Sequence, residues 1–500
     1  MKKIVMLPLD ERPCNYDFPR KLMEDNDRYI LTVPDKSILG KKKQPAVFED
    51  ISGFLLDNAD ADIAVISIDM LLYGGLVPGR LHNESEETLD EKLKILIELK
   101  RINPKIKIYA MNLIMRCPQY SSSDEEPDYY ERCGREIFLL GRYEHRAELG
   151  LTEDGEKEKA VEYRRIIGSD LNDYLARREI NKKMNCAVID YVGKVIDFLI
   201  IPQDDSAEFG FMARDQREIK SYIRESRKEL SVMIYPGADE VGMVLLSRAL
   251  LSDMKKNPSF KIMYDSVSAP FIIPKYEDRM LGESIESQIW ASGGNIVDNS
   301  NSADIILAVN APGDNTEEAV TQPNNGRGYQ INRNLPLFVS RIGNMIKDGK
   351  NVAVADVAFC NGGDTELALL LDETGTAMNL AGYAGWNTSG NTLGTAISEA
   401  VFVYLFGFTK AHSRFLALRY YEDVGYCSYA RAAVSGTLND FGVKCCNLSD
   451  KQPDVTKRVV EFTEKFISSV MPSVFARYHI EKCFMPWNRM FEAGFSIIEK

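Results

Sequence analysis

The chain has 500 residues, with 61 Lys+Arg against 74 Asp+Glu, a formal net charge of −13, 45% hydrophobic and 10% aromatic residues. That composition excludes a disordered chain. The acidic balance, with no basic stripe interleaved with aromatics, argues against a nucleic-acid partner. The length exceeds what one hydrophobic core usually holds, so two α/β lobes plus an appendage are expected, with one decorated barrel as the alternative.

The first ten residues carry two lysines but too short an apolar run for a secretory signal. No segment approaches the roughly 20 apolar residues of a membrane span, so no membrane partner is expected. Nine cysteines, an odd number without Cys-x-x-Cys spacing, read as free thiols in a reducing compartment, hence the cytoplasm.

Strands are predicted near 4–9, 29–33, 63–68, 106–112, 198–201 and 232–235, with helical stretches between them, the βαβ signature of a parallel sheet. Residues 86–101 read as one helix and 156–197 as two. A second series starts at 260–264 and continues at 295–297, 305–309, 352–357 and 379–383; 283–292 reads as a helix stopped by Gly293-Gly294. Past about residue 415 the strand signal fades, and Val459, Phe462, Phe466 and Val470 form a helical stripe. The expected organisation is an N-terminal α/β domain over 1–255 with a helical insertion near 120–195. A doubly wound α/β domain over 256–415 and a helical region over 416–500 follow. The fold class is α/β, repeated βα units with parallel sheets; the first lobe is either an open sheet or TIM-barrel-like. The polar loop 117–128 reads equally as a lid or a surface excursion.

Several predicted strands run straight into acidic or amide residues. Asp10 follows the first, Asp69 the third, Asn112 the fourth, Asp204-Asp205 the fifth and Asp239-Glu240 the sixth; Asn310 and Asp356 do the same in the second series. In α/β folds the carboxyl ends of parallel strands share one rim, where ligand sites form. Arg12 and Arg116 sit on the same rim as candidate ligand clamps. Each of these residues also suits a turn, cap or local ion pair. The adjacent carboxyls Asp204 and Asp205 are the expected centre, because proximity separates two pKa values and lets one group hold a proton while the other stays ionised. Trp386, Asn387 and Asn391, within the Gly-rich run 385–394, offer an indole for a sugar face and amides for hydroxyls, or a buried structural turn. Gly394 is expected to open a helix. Only four histidines are present, none paired at zinc-ligand spacing, and no nucleotide-binding glycine motif follows the first strand, so no resident metal or cofactor is expected.

The pair Asp204-Asp205 is similar to the double-aspartate motif of substrate-assisted β-N-acetylhexosaminidases, including the O-GlcNAc hydrolases. The resemblance implies that Asp204 orients the substrate acetamide, whose oxygen attacks the ring carbon, and that Asp205 is general acid and then base. The tyrosine and asparagine which those families place around the acetamide are not matched. The whole chain resembles an uncharacterised bacterial family of about this length, a domain of unknown function. Its recurring segments are Leu7-Pro8-Leu9-Asp10-Glu11-Arg12-Pro13, Gln203-Asp204-Asp205, Pro236-Gly237-Ala238-Asp239-Glu240 and the run 385–394.

The sequence therefore leads to a glycoside hydrolase, in particular an N-acetylhexosaminidase, acting on a small-molecule or oligosaccharide substrate through Asp204 and Asp205. One alternative is a divalent-metal hydrolase, lyase or isomerase using Asp10, Asp69, Asp204 and Asp239 as oxygen ligands. Another is a non-catalytic small-molecule binding protein. Oligomeric state, sugar and linkage stay open.

Overall fold

Six apolar runs in the first half of the chain form one parallel sheet. They are β1 (Lys2–Leu7), β2 (Tyr29–Thr32), β3 (Ile63–Ser67), β4 (Lys107–Met111), β5 (Phe198–Gln203) and β6 (Val232–Pro236), in the order β2-β1-β3-β4-β5-β6. The computed structural model describes residues 1–500 and divides into two units. The first comprises Met1–Glu11, Asn26–Leu245 and Tyr276–Asp278, the second Arg12–Asp25, Leu246–Lys275 and Arg279–Lys500.

In the first unit β3 and β5 are buried at every position. Such continuous apolar runs are what a parallel strand needs when helices cover both faces. Register is regular, with Ile4 opposite Ile63 and Ile63 opposite Lys107. β2 and β6 are edges and do not pair, so the sheet is open and the barrel alternative falls. Strand order reverses at β1, whose neighbours are β2 and β3; a doubly wound sheet of this order offers its ligand crevice beyond the strand carboxyl ends at that point. Helices Tyr130–Glu148, Glu156–Ile167 and Asp170–Tyr191 fill the insertion between β4 and β5 around Tyr130, Ile137, Leu140, Tyr174 and Phe211. The helix predicted over 86–101 is two, Glu86–Leu93 and Ile95–Ile102. Lys94 tightens the backbone between them by donating to Glu91 O, while the apolar face (Leu89, Leu93, Leu96, Leu99) runs through the break.

The second unit holds β7 (Ser259–Tyr264), β8 (Asn295–Ile296), β9 (Ile305–Asn310), β10 (Glu317–Glu318), β11 (Asn351–Asp356), β12 (Phe359–Cys360) and β13 (Gly382–Ala384). β10 and β12 form a small parallel pair, and the main sheet reads β13-β11-β9-β7-β8, all parallel. Counted within its own sheet, this is again second-first-third-fourth-fifth, with the reversal at β7. The predicted stop after helix Leu281–Ser292 is present: Gly293 has φ 97°, a left-handed conformation that glycine takes without a Cβ clash.

From Lys410–Arg419 the chain passes into a π-helical segment, Tyr420–Ala430, then Arg431–Ser435, Gln452–Val470 and Pro472–Arg477. The buried stripe of Gln452–Val470 is Val455, Val459, Thr463 and Ile467, rotated from the predicted one; Phe466 instead stacks on Tyr429 at 4.3 Å. The expectation of helix to residue 500 is corrected beyond Arg477, where β14 (Tyr478–Phe484) and β15 (Gly494–Glu499) form an antiparallel hairpin. Tyr478 and Ile480 are buried on either side of a half-exposed His479, the period of a strand. No helix is long and apolar enough to cross a membrane.

Candidate functional site

In the first unit the fifth strand delivers Asp204 and Asp205 to the sheet's carboxyl edge, with Asp205 at φ 46°, a left-handed turn that Asp tolerates better than most residues. Their partners are two buried arginines. Arg80 closes the short turn Pro78–Arg80 and Arg116 follows β4, whose pairing with β5 continues past the strand through Asn112 N to Ile200 O and Ile114 N to Pro202 O. Arg80 Nη2 lies 2.7 Å from Asp204 Oδ2, and Arg116 Nη1 lies 3.0 Å from Asp205 Oδ2 and 3.6 Å from Asp204 Oδ2. The loop 117–128 turns inward and adds two acids. Glu125 Oε2 meets Arg80 Nη1 at 3.0 Å and Arg116 Nη2 at 3.1 Å; Glu126 Oε1 meets Arg116 Nε at 2.7 Å and Arg80 Nη1 at 3.3 Å. Glu126 is 1% exposed, so this loop is neither a detached lid nor a surface excursion where it carries these acids. Tyr120 accepts from Arg116 Nη2 at 3.3 Å, and its hydroxyl is pushed up to about 12, chiefly by burial.

Four carboxyls thus share two guanidiniums. Asp205, about one-fifth exposed, is raised to about 7, first by burial and then by the charge of Asp204, against the pull of Arg116 and Arg80. Asp69, at the end of β3, is also raised to about 7 by burial. The N–H of Leu113 donates to its Oδ2 at 3.0 Å, and Asn112 Nδ2 to its Oδ1 at 3.4 Å. Asn112 is itself held by Asn185, which donates to its Oδ1 at 2.7 Å. The predicted residues Asp204, Asp205 and Arg116 therefore meet directly, and Asp69 and Asn112 form an adjoining pair, with Arg80 acting on Asp69 as well as on Asp204. Asp10, Asp239 and Glu240 are buried at neighbouring strand ends; Glu240 Oε2 accepts from Ala238 N at 3.0 Å, just before helix Val241–Met254. Gln203 is locked by Gln216 and Asp278.

The second unit carries its own cluster at the ends of β9 and β11. Asn310 Nδ2 donates to Asp356 Oδ1 at 2.8 Å and to Asp364 Oδ2 at 3.2 Å; Arg333 binds Asn310 Oδ1 at 3.1 Å and pairs with Asp364. Tyr383 OH and the Asp364 N–H both donate to Asp356 Oδ2, at 2.8 and 2.6 Å. Burial, then Asp364, raises Asp356 to about 7. Arg12 belongs to this unit, with its guanidinium 4.5 Å from the Trp487 ring. Trp386 is 9% exposed and its indole N–H donates to Thr395 Oγ1 at 3.1 Å. Asn387 Nδ2 donates to Asn391 Oδ1 at 2.6 Å. Gly394 does not open a helix: helix Ser389–Phe406 starts five residues earlier in sequence, capped by Thr388, which accepts from Asn391 N. Thr388 satisfies one of the free N–H groups of the first turn with its side-chain oxygen, so the helix is already under way when the chain reaches Gly394.

Sequence reasoning missed Arg80, Glu125, Glu126, Asp265 and Arg333. Arg80 had a signal, a charge between the apolar Leu76-Val77-Pro78 and Leu81. Asp265 had a better one, since it directly follows β7, and its Oδ1 accepts from Ala311 N at 3.1 Å. Glu125 and Glu126 lie in a run of acids whose inward members nothing in the sequence distinguishes.

A family model described as "Protein of unknown function (DUF4127)" matches residues 4–496, nearly the whole chain, in agreement with the whole-length resemblance read from the sequence. No curated protein matches.

Proposed function

We propose, for a chain that belongs to the DUF4127 family of proteins of unknown function, a glycoside hydrolase that works through Asp204 and Asp205. The observation that carries this reading is the split within one adjacent pair. Asp204 is ion-paired to both arginines, whereas Asp205 pairs with Arg116 alone and is raised to about 7 by burial and by its neighbour's charge. Breaking a glycosidic bond needs that division, one carboxyl able to give a proton to the leaving oxygen and one that stays ionised. A group with a pKa near the working pH serves both as donor and as acceptor.

On an N-acetylhexosaminide, Asp205 would protonate the departing oxygen while the acetamido oxygen attacks the ring carbon and Asp204 receives the acetamide N–H. Asp205 would then take the proton of the incoming water. Arg80 and Arg116 hold both carboxyls in place, and the charge-assisted bonds are each on the order of 1.5–3 kcal/mol. The metal-dependent alternative has less support. No three His, Cys, Asp or Glu side chains are grouped to hold an ion, and Asp204, one of the four carboxylates it needs, is already engaged by two guanidiniums.

The test is a panel of aryl glycosides that includes N-acetyl-β-hexosaminides, assayed with wild type and Asp205→Asn. Turnover that falls about 10²–10⁴-fold in the variant, and that ignores EDTA, is the expected outcome. No turnover by folded wild type across the panel, or an unimpaired variant, ends the proposal.

A further inference from the structure

The first unit holds a cavity of about 610 Å³, and none of the carboxyls and arginines around Asp204 and Asp205 lies on its wall. Its size falls in the roughly 300–1,000 Å³ range of small-molecule sites. The walls are fixed. On one side the segment 45–48 closes against the end of helix Ile68–Tyr73, where Ala46 N donates to Gly74 O at 3.0 Å. Gly74 has φ 83°, and a Cβ there would stand 2.5 Å from Ala46 N, so the approach requires glycine. On another side His82 stacks on Tyr73 at 4.5 Å, with Nε2 2.6 Å from Asn181 Oδ1 and Nδ1 accepting from Glu84 N at 3.3 Å. An imidazole that accepts through one nitrogen is neutral, and burial also pushes His82 down. Lys92 completes the wall. Its Nζ donates to Leu72 O and Glu84 Oε1, each at 3.1 Å, and stands 5.8 Å from the centre of the Phe48 ring.

The charged groups on the lining are therefore two carboxylates, Glu49 and Glu84, against one cation, Lys92. Glu84 matches Lys92, and Glu49 has no cation partner. Hydrogen-bonding capacity leans the same way. Lys92 has used two of its three donors, whereas both carboxylate oxygens of Glu49 and the second of Glu84 are open acceptors. Phe48 and Tyr73 set aromatic carbon beside these acceptors. A carboxylate next to an aromatic face attracts an organic cation, and the wall already holds one ammonium, that of Lys92, in this manner.

We propose that this cavity binds a small organic amine, its ammonium at Glu49 and Glu84 and its apolar body over Phe48 and the wall formed by Leu71, Leu72 and Tyr73. The net charge of −13 favours the approach of cations. The proposal goes beyond the glycosidase reading, and its test does not use turnover.

Phenethylamine, its uncharged counterpart phenethyl alcohol and its acidic counterpart phenylacetate are titrated onto the full chain carrying isotope-labelled histidine rings. Only four histidines are present and His82 lies on this wall, so its NMR signal, assigned by its loss in His82→Gln, locates the binding. A saturable shift of the His82 signal with the amine alone is expected, with His412 and His479 unmoved. Glu49→Gln should weaken the affinity about threefold, and Glu49→Gln with Glu84→Gln about tenfold. Glu49 is exposed at the start of helix Phe48–Asp57, so its amide variant keeps the fold; should loss of Glu84 free Lys92 and disturb the wall, Glu49→Gln alone decides. Alcohol or acid binding as tightly as the amine, a shift confined to other histidines, absence of any saturable response, or unchanged affinity in folded Glu49→Gln overturns the proposal.

Discussion

At Asp205, burial of about four-fifths of the side chain and the adjoining charge of Asp204 both favour the protonated form, while Arg116 and Arg80 favour the ionised one. Glu125 tilts that balance further, because it adds negative charge beside the same arginines. Replacing it by an uncharged amide removes repulsion and leaves both guanidiniums freer to attract Asp205. Glu125→Gln should therefore lower the Asp205 pKa, which carboxyl carbon NMR titration reads directly. If Asp205 is the acid of a glycosidase, the alkaline limb of the rate profile moves the same way. An Asp205 pKa that stays or rises in the variant contradicts the assignment of Glu125 to this network. The pair itself was legible from its place after an apolar strand. The arginines that control it were less so, since Arg80 comes from a three-residue turn remote in sequence and only the fold brings it to Asp204.

Among the elements, those whose period is enforced by burial on both faces were the readable ones. The residues of β3 and β5 are buried throughout and apolar up to the terminal Ser67 and Gln203, and both were recognised. The C-terminal hairpin was not, because helix Gln452–Val470 and strand Tyr478–Phe484 follow one another with only the short turn of helix Pro472–Arg477 between. The same part of the chain carries Cys445 and Cys446, which the hairpin-like turn at Lys444–Asn447 leaves exposed. Five of the other cysteines are buried and two half-buried, and burial pushes the thiols of the half-buried pair, Cys186 and Cys483, up to about 11 and about 12. Thiolate is the reactive form. A chromogenic disulfide reagent should thus titrate two thiols quickly in native protein and all nine in denaturant. Fast modification of more than two, or loss of the rapid phase failing to follow Cys445→Ser with Cys446→Ser, contradicts this arrangement.

Across the whole molecule, both sheets use the same strand order and both gather buried carboxyls at their carboxyl ends, although no sequence repeat betrays the relation. Asp69 and Asp205 in the first unit, and Asp265, Asp356 and Asp423 in the second, are raised to about 7 or 8, in each case mainly by burial. Between the unfolded carboxyl pKa near 4 and these folded values the native state holds protons that the unfolded chain has released, so stability falls as pH rises. Each group contributes at most about 1.4 kcal/mol per pH unit. His82 and His145, which burial pushes down, act in the opposite sense, but only below their unfolded value near 6.5, and they are two against five. The denaturant midpoint should therefore be higher near pH 5.5 than near pH 7.5, whereas a chain stabilised mainly by exposed ion pairs would change little over that interval, its carboxylates being ionised in both states. Asp69→Asn removes one titrating proton from the native state, so its deficit relative to wild type should shrink, or become a gain, on going from the lower pH to the higher. A midpoint that rises over that interval, or a variant whose difference from wild type does not change with pH, would show that these carboxyls are ionised in the folded protein.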